Sequence, residues 1–455
     1  METAACLEDM PLEVLQRIGH FSGSVELSQN VRLVNKWLLQ IFSDESYWEQ
    51  RMKQRHPYRF SALSKVKAAT VHPSPDFWRK AHVLFERKNR IFIDNSIGCA
   101  QLCPWNVNNQ HKHFWTIASV AFCNEGKLIA AGCSDPNSII LWNVAGVDRE
   151  LPVPVIDQGT LHTNKVSSIR NERNVLSTGS WDKSILLTDL TAGLAHGTIA
   201  RLRTENTIES HDHHSNLLVA GSTEGFCEFF DVRTSQCFAR RRFISDPSLL
   251  DNSSCRLVKA LIADERSVVV SGWDQRQRLL KLFDIRSMQY ISSTLLPYGN
   301  GSADAQTLGS MMSNSLPEMQ INDGFLWCSA ENNLWQYRVT DSSLDLLFRN
   351  TFDEDNFGRI VGMHNGHGHV MLVRESPKSV ILGAQGTYLS TMYERIRDSE
   401  YRTLWDNAAP AYRRGHIATA FDEVTCKFAM AMSDGFVSDR ITLHFPLELK
   451  NNTSV

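Results

Sequence analysis

Residues 175–190 read VLSTGSWDKSILLTDL, and this stretch decides the fold. Two apolar runs flank the turn at residues 181–183, which is the pattern of a tight β-hairpin. The pattern recurs as LIAAGCSDPNSIILWNV over residues 128–144, as LVAGSTEGFCEFFDV over 218–232 and as VVSGWDQRQRLLKLFDI over 269–285. Such repetition predicts stacked units, because no single unit of this kind buries both faces of its sheet.

The repeat period indicates what each unit is. Intervals between equivalent positions are 46, 42 and 53 residues, measured at Asn143, Asp189, Asp231 and Asp284. A WD40-type blade, which is a four-stranded sheet, takes about 40–45 residues. Each copy also carries a glycine where neighbouring sheets are expected to approach closely, at Gly132, Gly179, Gly221 and Gly272.

Weaker copies follow beyond residue 325, and they extend the array to the end of the chain. We therefore expect an all-β, WD40-like propeller of seven blades over residues 90–449. The last copy ends too soon for a fourth strand of its own. Residues 90–94 are expected to supply that strand and so to pair the two ends of the array, which removes exposed sheet edges.

The first ninety residues follow a helical period instead, with apolar residues recurring at spacings of three and four. Pro11 suits the first turn of a helix, and Asp44 suits the cap of a later one. These helices carry more apolar residues than a unit of about 45 residues can bury. The surplus either packs on the rest of the chain or binds another protein. The remaining expected boundaries are a tail at 1–8, a helical domain at 9–55, a helical linker at 56–89 and a tail at 450–455.

The N-terminal helices resemble a known motif. MPLEVLQRI over residues 10–18, VNKW over 34–37 and YW over 47–48 are similar to the F-box, which runs Leu-Pro-x-Glu-Leu-Leu-x-x-Ile, then Val-Cys-Lys-x-Trp, then Leu-Trp. The departures are Met10 for leucine, Asn35 for cysteine and a tryptophan one position early. A small all-α F-box domain followed by a propeller is the layout of the F-box/WD-repeat family. The order of features is similar to its dactylin-type branch.

This resemblance implies a function. The chain would be the substrate-recognition subunit of an SCF-type ubiquitin ligase, and it would perform no catalysis itself. Its F-box would bind a Skp1-type adaptor, and through it a cullin, while the propeller would hold the protein to be ubiquitinated. The residues carried over as adaptor contacts are Pro11, Leu12, Leu15, Ile18, Val34, Asn35, Trp37 and Trp48.

Receptors of this class commonly bind a short peptide, sometimes phosphorylated, on one face of the propeller. That face is formed by the loops between the second and third strands of each blade and by the loops between blades. The residues expected there are Trp181, Lys183, Arg203, Trp273, Arg276 and Arg278. Arginine can hold phosphate through charge-assisted hydrogen bonds, and tryptophan is a favoured interface anchor. The simpler interpretation of the charged residues is a solvated surface.

One polar set is expected to be structural. His162, Asp182 and Ser177 fall where WD repeats keep an internal group of hydrogen bonds. We therefore interpret these residues as part of the scaffold and not as ligands for another molecule.

Composition bounds the other functions. Lys and Arg total 47 against 50 Asp and Glu, so nothing points to nucleic acid or to an anionic membrane. Ten scattered cysteines, with no signal peptide or spanning segment, indicate a soluble cytoplasmic or nuclear protein. No catalytic or phosphate-binding motif and no strong metal-ligand set occurs, so neither enzyme activity nor a cofactor or metal is expected. Two rivals stay open: a WD-repeat scaffold without a ligase role, and a metal-dependent propeller enzyme using His211, His213 and His214.

Overall fold

A computed structural model gives the fold of the chain. In the N-terminal part it describes residues 12–21, 27–28, 30–34, 36–55, 60, 64, 67–68 and 74–83. In the remainder it describes residues 97–102, 116–134, 137–145, 155–243, 258–274, 277–296, 317–322, 324–330, 333–351, 360–366, 369–374, 379–382, 388–391, 418–422, 427–431 and 441–446. The chain divides into two compact units, Met1–Ser96 with Gly366–His369 and Ile97–Asn365 with Val370–Val455.

The first unit is helical. Its described elements are α1 (Leu12–Phe21), a 3₁₀ turn (Val31–Leu33), α2 (Lys36–Ser43), α3 (Glu45–Arg55) and a helical stretch over residues 77–83. Asp44 caps α3 as expected, because its carboxylate accepts the Ser46 amide hydrogen at 3.0 Å and the Ser46 hydroxyl at 2.6 Å.

The helical unit has a hydrophobic core of its own. Trp48 and Trp78 lie at its centre, and Trp48 donates its indole hydrogen to the Phe42 carbonyl at 2.8 Å. The buried members of this core are Leu15, Leu27, Leu38, Ile41, Phe42, Tyr47, Trp48, Met52 and Trp78.

The second unit is built from strands. In chain order these are β1 (Ile97–Leu102), β2 (Ile117–Cys123), β3 (Leu128–Cys133), β4 (Ile139–Asn143), β5 (Val155–Gly159), β6 (Val166–Glu172), β7 (Val175–Ser180), β8 (Ser184–Asp189), β9 (Thr198–Arg203), β10 (Ile208–His214), β11 (Leu217–Ser222), β12 (Phe226–Asp231), β13 (Gln236–Arg242), β14 (Val258–Ile262), β15 (Ser267–Asp274), β16 (Gln277–Asp284), β17 (Gln289–Leu295), β18 (Glu318–Asn322), β19 (Phe325–Ala330), β20 (Asn333–Val339), β21 (Leu344–Thr351), β22 (Ile360–Gly366), β23 (His369–Arg374), β24 (Ser379–Leu382), β25 (Tyr388–Thr391), β26 (Ala418–Asp422), β27 (Lys427–Ala431) and β28 (Ile441–Pro446).

These strands form four-stranded sheets. Six sheets take four consecutive strands each, from β2–β5 to β22–β25, and the seventh has the order β1-β28-β27-β26. The first strands of successive sheets contact one another from β2 through β6, β10 and β14 to β18, and β26 contacts β2. This array is consistent with a WD40-like propeller.

The ends of the array pair with each other, as the sequence predicts, but through a different segment. β1 runs antiparallel to β28, with Ile97 opposite Pro446 and Leu102 opposite Ile441. The expected closing strand at residues 90–94 lies outside the described residues. The prediction of its position is therefore corrected to Ile97–Leu102, where Leu102 is fully buried in the core that β28 shares with β2–β4.

The repeated glycines lie where adjacent sheets meet. A Cβ atom on Gly221 would lie 2.2 Å from the Val258 carbonyl oxygen of the next sheet, which no side chain could tolerate. Gly132 faces Val166 in the same way, and Gly272 faces Phe243. The expectation of close approach between sheets is confirmed at these positions.

Polar pairs also link the first strands of neighbouring sheets. Lys259 Nζ of β14 lies 2.7 Å from Glu318 Oε2 of β18. Arg170 Nε lies 3.6 Å from Asp212 Oδ1, and Gln320 Nε2 lies 3.0 Å from His364 Nδ1.

A buried histidine on β10 makes the fold sensitive to acid. The ring of His211 is fully buried, with Nδ1 against the Ser168 hydroxyl and Nε2 2.9 Å from the Ser177 hydroxyl. Burial lowers the pKa of His211 well below the usual histidine value, and the positive charge of Arg170 adds to the effect. In the unfolded chain the same ring protonates near pH 6.5. Its contribution to stability is therefore complete above that pH and is lost as the pH falls.

We expect the stability advantage of the wild type over His211→Gln to shrink as the pH falls from 6.5 to 5.5. The loss should be about 1 kcal/mol, because only the unfolded wild-type chain gains a proton there. Urea unfolding curves of both proteins at pH 7.5, 6.5 and 5.5 measure this difference in the free energy of unfolding. An advantage that stays constant with pH would contradict a neutral, buried His211.

Candidate functional site

The helical unit exposes a set of large aliphatic side chains. Leu12 is 47% exposed on the first turn of α1, and Val34, directly after the 3₁₀ turn, is 73% exposed. We call Leu12, Val14, Leu33, Val34 and Leu39 the aliphatic surface. None of these side chains is among the described members of the unit's core. Because they lie in or beside three successive elements of one small unit, they are the candidate protein-binding surface.

The predicted adaptor contacts divide between this surface and the core. Leu12 and Val34 are exposed, whereas Leu15 is 3% exposed and Trp48 is fully buried. The assignment of Leu15 and Trp48 as direct contacts is therefore wrong for this structure.

The reason is the packing of α1 and α3 within the helical unit. Leu15 and Gly19 are four residues apart on the buried face of α1, whereas Leu12 lies at its exposed start. Arg51 of α3 donates to the Gly19 carbonyl and lies 3.2 Å from the Tyr47 hydroxyl, which brings this part of α3 beneath α1.

Four other predicted contacts are not described. Pro11 and Asn35 lie outside the described residues. Ile18 and Trp37 lie in α1 and α2, but their side chains are not among those described.

Three further exposed aliphatic residues, Val14, Leu33 and Leu39, were not predicted as contacts from the sequence. Each lies off the apolar stripe that spacing identifies as the core face. Their residue type could not have identified them, because single exposed leucines and valines are ordinary on protein surfaces, and only the structure shows which of them stay exposed.

A second candidate site lies at one end of the sheet β6–β9. Trp181 directly follows β7 and is 38% exposed, and Lys165 Nζ lies 4.8 Å from the centre of its ring. The Trp181 amide donates to the Lys165 carbonyl at 3.0 Å, which fixes the turn.

Two predicted basic residues share that end of the sheet. Lys183 has a positive φ of 62° in the turn between β7 and β8, and Arg203 is the last residue of β9. Both are exposed, and the Lys183 carbonyl accepts the amide hydrogen of Thr204 at 3.0 Å. Within the described part of the chain neither side chain forms an ion pair, so two basic side chains without an acidic partner there share this end of the sheet with Trp181. We call Trp181, Lys183 and Arg203 the Trp181 corner.

Buried hydrogen bonds hold this corner in place. His162 Nδ1 lies 2.9 Å from Asp182 Oδ2, and His162 Nε2 lies 2.9 Å from the Thr178 hydroxyl. Burial of Asp182 opposes its charged form, but hydrogen bonds from His162, Ser184 and the Thr163 amide outweigh burial and lower its pKa. The neighbouring turn residues Trp181 and Lys183 are therefore anchored by a rigid polar set.

The expected internal hydrogen-bond set is confirmed for two of its three members. The prediction of Ser177 is wrong, because the Thr178 hydroxyl binds His162 in its place. The Ser177 hydroxyl instead binds His211 on the opposite face of β7. A shift of one residue along a strand moves a side chain to the other face of the sheet, so a spacing argument easily makes this error.

The equivalent hairpin in β14–β17 does not provide a second corner. Arg278, predicted on an exposed loop, is 3% exposed and lies within β16. The ladder of β15 and β16 extends to Asp274 opposite Gln277, so Trp273 pairs with Arg278 inside the sheet. Because β15 and β16 pair beyond the expected turn, Arg278 does not lie on the predicted binding face. The Trp273 side chain and Arg276 lie outside the described residues.

The histidines of the metal-enzyme hypothesis do not converge. Both ring nitrogens of His211 face serine hydroxyls, whereas His213 and His214 each lie 3.6 Å from a Glu172 oxygen. Among the described residues no group of three or more His, Cys, Asp or Glu side chains could hold a metal ion.

No helix in the described ranges is long and apolar enough to cross a membrane.

Comparison with known proteins gives one short stretch of similarity. The chain is 26% identical over 124 residues to the Periodic tryptophan protein 1 homolog of Drosophila melanogaster. The match spans 24% of this chain and 27% of that protein, so it covers about a quarter of the relative's length. No protein-family profile matches the sequence. Together with the successive four-stranded sheets, this similarity indicates a WD-repeat protein.

Proposed function

We propose that this chain is the substrate-recognition subunit of an SCF-type ubiquitin ligase, with an F-box that binds a Skp1-type adaptor and, through it, a cullin. The observation that carries the proposal is the aliphatic surface, which stays exposed although the helical unit has a buried core of its own. A partner that covers these side chains would remove apolar area from water, and that burial favours the complex.

The sequence resemblance supports the choice of partner. Two residues of the aliphatic surface, Leu12 and Val34, are also positions of the F-box-like pattern. Recognition would follow the mode in which short helices place apolar anchors in a groove of the partner.

The sheet array supplies the other half of the proposed function. We infer a propeller of seven blades, one for each four-stranded sheet, that presents the target protein to the ligase. The Trp181 corner is the proposed target contact, since tryptophan and arginine dominate binding energy at interfaces. The chain itself then performs no chemistry. It would raise the rate of ubiquitin transfer by proximity, because it holds the target beside the ubiquitin-loaded E2 enzyme.

This function places the protein in the cytoplasm or nucleus. The free thiols of Cys123, Cys133, Cys227, Cys237 and Cys328 are compatible with such a reducing compartment.

Co-expression tests the adaptor half of the proposal. The tagged full-length chain is expressed with a Skp1-type adaptor and purified by affinity and size-exclusion chromatography. We expect a complex of one chain and one adaptor that survives both steps. A chain that purifies folded and alone would refute the ligase role and would leave the scaffold function.

A double substitution tests the Trp181 corner. We expect Trp181→Ser with Lys183→Ser to lower the capture of target proteins at least fivefold, because loss of an anchor residue costs about 1 kcal/mol or more. Quantitative mass spectrometry of proteins bound to each tagged variant, with the proteasome inhibited, measures the effect. Adaptor binding should not change.

The matched control is Lys127→Ser with Ile156→Ser, which removes the same kinds of exposed side chain from the sheet β2–β5. We expect this control to retain the wild-type set of targets. Equal losses in both variants would show that target binding does not depend on the Trp181 corner.

A further inference from the structure

A groove lies between the sheets β10–β13 and β14–β17, with a volume of about 270 Å³. Its apolar wall consists of Leu217, Phe238 and Ile262. Phe238 is 49% exposed although it lies on a strand, so its ring borders the groove and is open to water. The groove therefore offers apolar contact area to a ligand.

The groove is separate from the Trp181 corner. Its walls come from the turn after β10, the end of β12 and the turn after β14. In an antiparallel four-stranded sheet these turns lie at one end of the strands, and the turn that holds Trp181 lies at the other. Binding here would therefore leave the proposed target site open.

Carboxylates supply the negative charge among the described lining residues of the groove. Asp231, Asp264 and Glu265 line the groove, and no lysine or arginine is among its described lining residues. Asp231 is neutralised by Arg233, whose guanidinium lies 2.7 Å from Asp231 Oδ2.

The negative charges of the other two carboxylates are not neutralised within the described part of the chain. Asp264 Oδ1 accepts the amide hydrogens of Arg266 and Ser267, while Oδ2 has no partner in the described part of the chain. Glu265, one residue further along the turn, is exposed and forms no ion pair with a described residue. The rim is consequently negative at Asp264 and Glu265.

We propose that this groove binds a cationic peptide segment of a partner protein. One aliphatic or aromatic side chain of the peptide packs against Phe238, Leu217 and Ile262, and a neighbouring lysine or arginine faces Asp264 and Glu265. The volume is below the roughly 300–1,000 Å³ of sites for drug-sized molecules, so it suits one side chain better than a whole cofactor. The charge of the rim selects against anionic segments, because like charges at an interface cost affinity.

The test uses the full-length chain and a peptide of sequence Gly-Arg-Leu-Arg-Gly that carries fluorescein on its N-terminus and an amide at its C-terminus. Fluorescence anisotropy at low ionic strength measures its affinity. The peptides Gly-Glu-Leu-Glu-Gly and Gly-Arg-Ser-Arg-Gly test charge and apolar contact separately. We expect the first control peptide not to bind and the second to bind several-fold more weakly than the Arg-Leu-Arg peptide.

Two variants locate the binding. Glu265→Lys reverses a rim charge and should weaken binding of the Arg-Leu-Arg peptide about tenfold, since the substitution removes an attraction and adds a repulsion. Phe238→Ser should weaken it to a similar degree by removing the apolar wall. The matched control is Asp341→Lys, which makes the same change in charge sign at an exposed turn residue of the sheet β18–β21.

These outcomes decide the proposal. No binding to the wild-type chain overturns it, and so does binding that Glu265→Lys and Phe238→Ser reduce no more than Asp341→Lys. The proposal does not rest on the ligase function, because none of these measurements involves the adaptor.

Discussion

Replacing Leu12 and Val34 together by aspartate should abolish co-purification of the Skp1-type adaptor. Both side chains are exposed in the free chain, at 47% and 73%, so the substitutions remove no core contact. In a complex each residue would be buried, and burying a leucine or valine contributes about 1.5–3 kcal/mol. An aspartate at a buried interface position adds a desolvation penalty. The combined loss corresponds to an affinity at least about a hundredfold lower.

The matched control for this experiment is Ile199→Asp in β9. Ile199 is also an exposed aliphatic residue, at 57%, but it belongs to the sheet unit. We expect this variant to co-purify with the adaptor like the wild type. An adaptor complex that survives Leu12→Asp with Val34→Asp would show that the aliphatic surface is not the binding surface.

Trp48→Ala should unfold the helical unit and leave the sheets folded. Trp48 is fully buried, its indole hydrogen bonds to the Phe42 carbonyl at 2.8 Å, and its ring packs edge-on against Tyr47. Truncation of a buried tryptophan to alanine costs about 3–5 kcal/mol, which is comparable with the whole stability of a small helical core. The variant should therefore lose adaptor binding as well. The cause would be the unfolding of the helical unit, whereas Leu12→Asp with Val34→Asp changes only the binding surface.

Limited proteolysis and hydrogen exchange distinguish the two cases. For Trp48→Ala we expect rapid exchange in α1 to α3 and unchanged protection in β6 to β9. For the aspartate variant both regions should stay protected. Trp48→Phe, which keeps an aromatic ring but loses the hydrogen bond to Phe42, should have a milder effect. Wild-type protection of α3 in Trp48→Ala would contradict the central role of Trp48 in the core.

The sequence predicted the sheet array well because its signal is repeated. The segments at residues 128–144, 175–190 and 218–232 each combine two short apolar runs around a turn with a glycine at a sheet contact. Errors at single positions average out over such copies. The closing strand was misplaced because RIFID at residues 90–94 is the richer of the two short segments in β-branched and aromatic residues, whereas pairing of 97–102 with β28 depends on tertiary contacts such as those of Leu102.

Side-chain exposure was harder to predict. Spacing grouped Leu12 and Leu15 on one helix face, but the position of α3 beneath Gly19 buries Leu15 and leaves Leu12 outside. Similarly, the Trp-Asp pairs at Trp181 and Trp273 look equivalent in sequence. A longer ladder between β15 and β16 places Trp273 inside the sheet, and sequence alone does not contain that register.

Hydrogen exchange of the full-length chain with and without the adaptor tests the central claim most directly. We expect the adaptor to slow exchange in α1 and α2, the helices that carry Leu12, Val14 and Leu39 of the aliphatic surface, and to leave β6 to β9 unchanged. Exchange in these helices that does not respond to saturating adaptor, or a footprint confined to the sheets, would contradict the account.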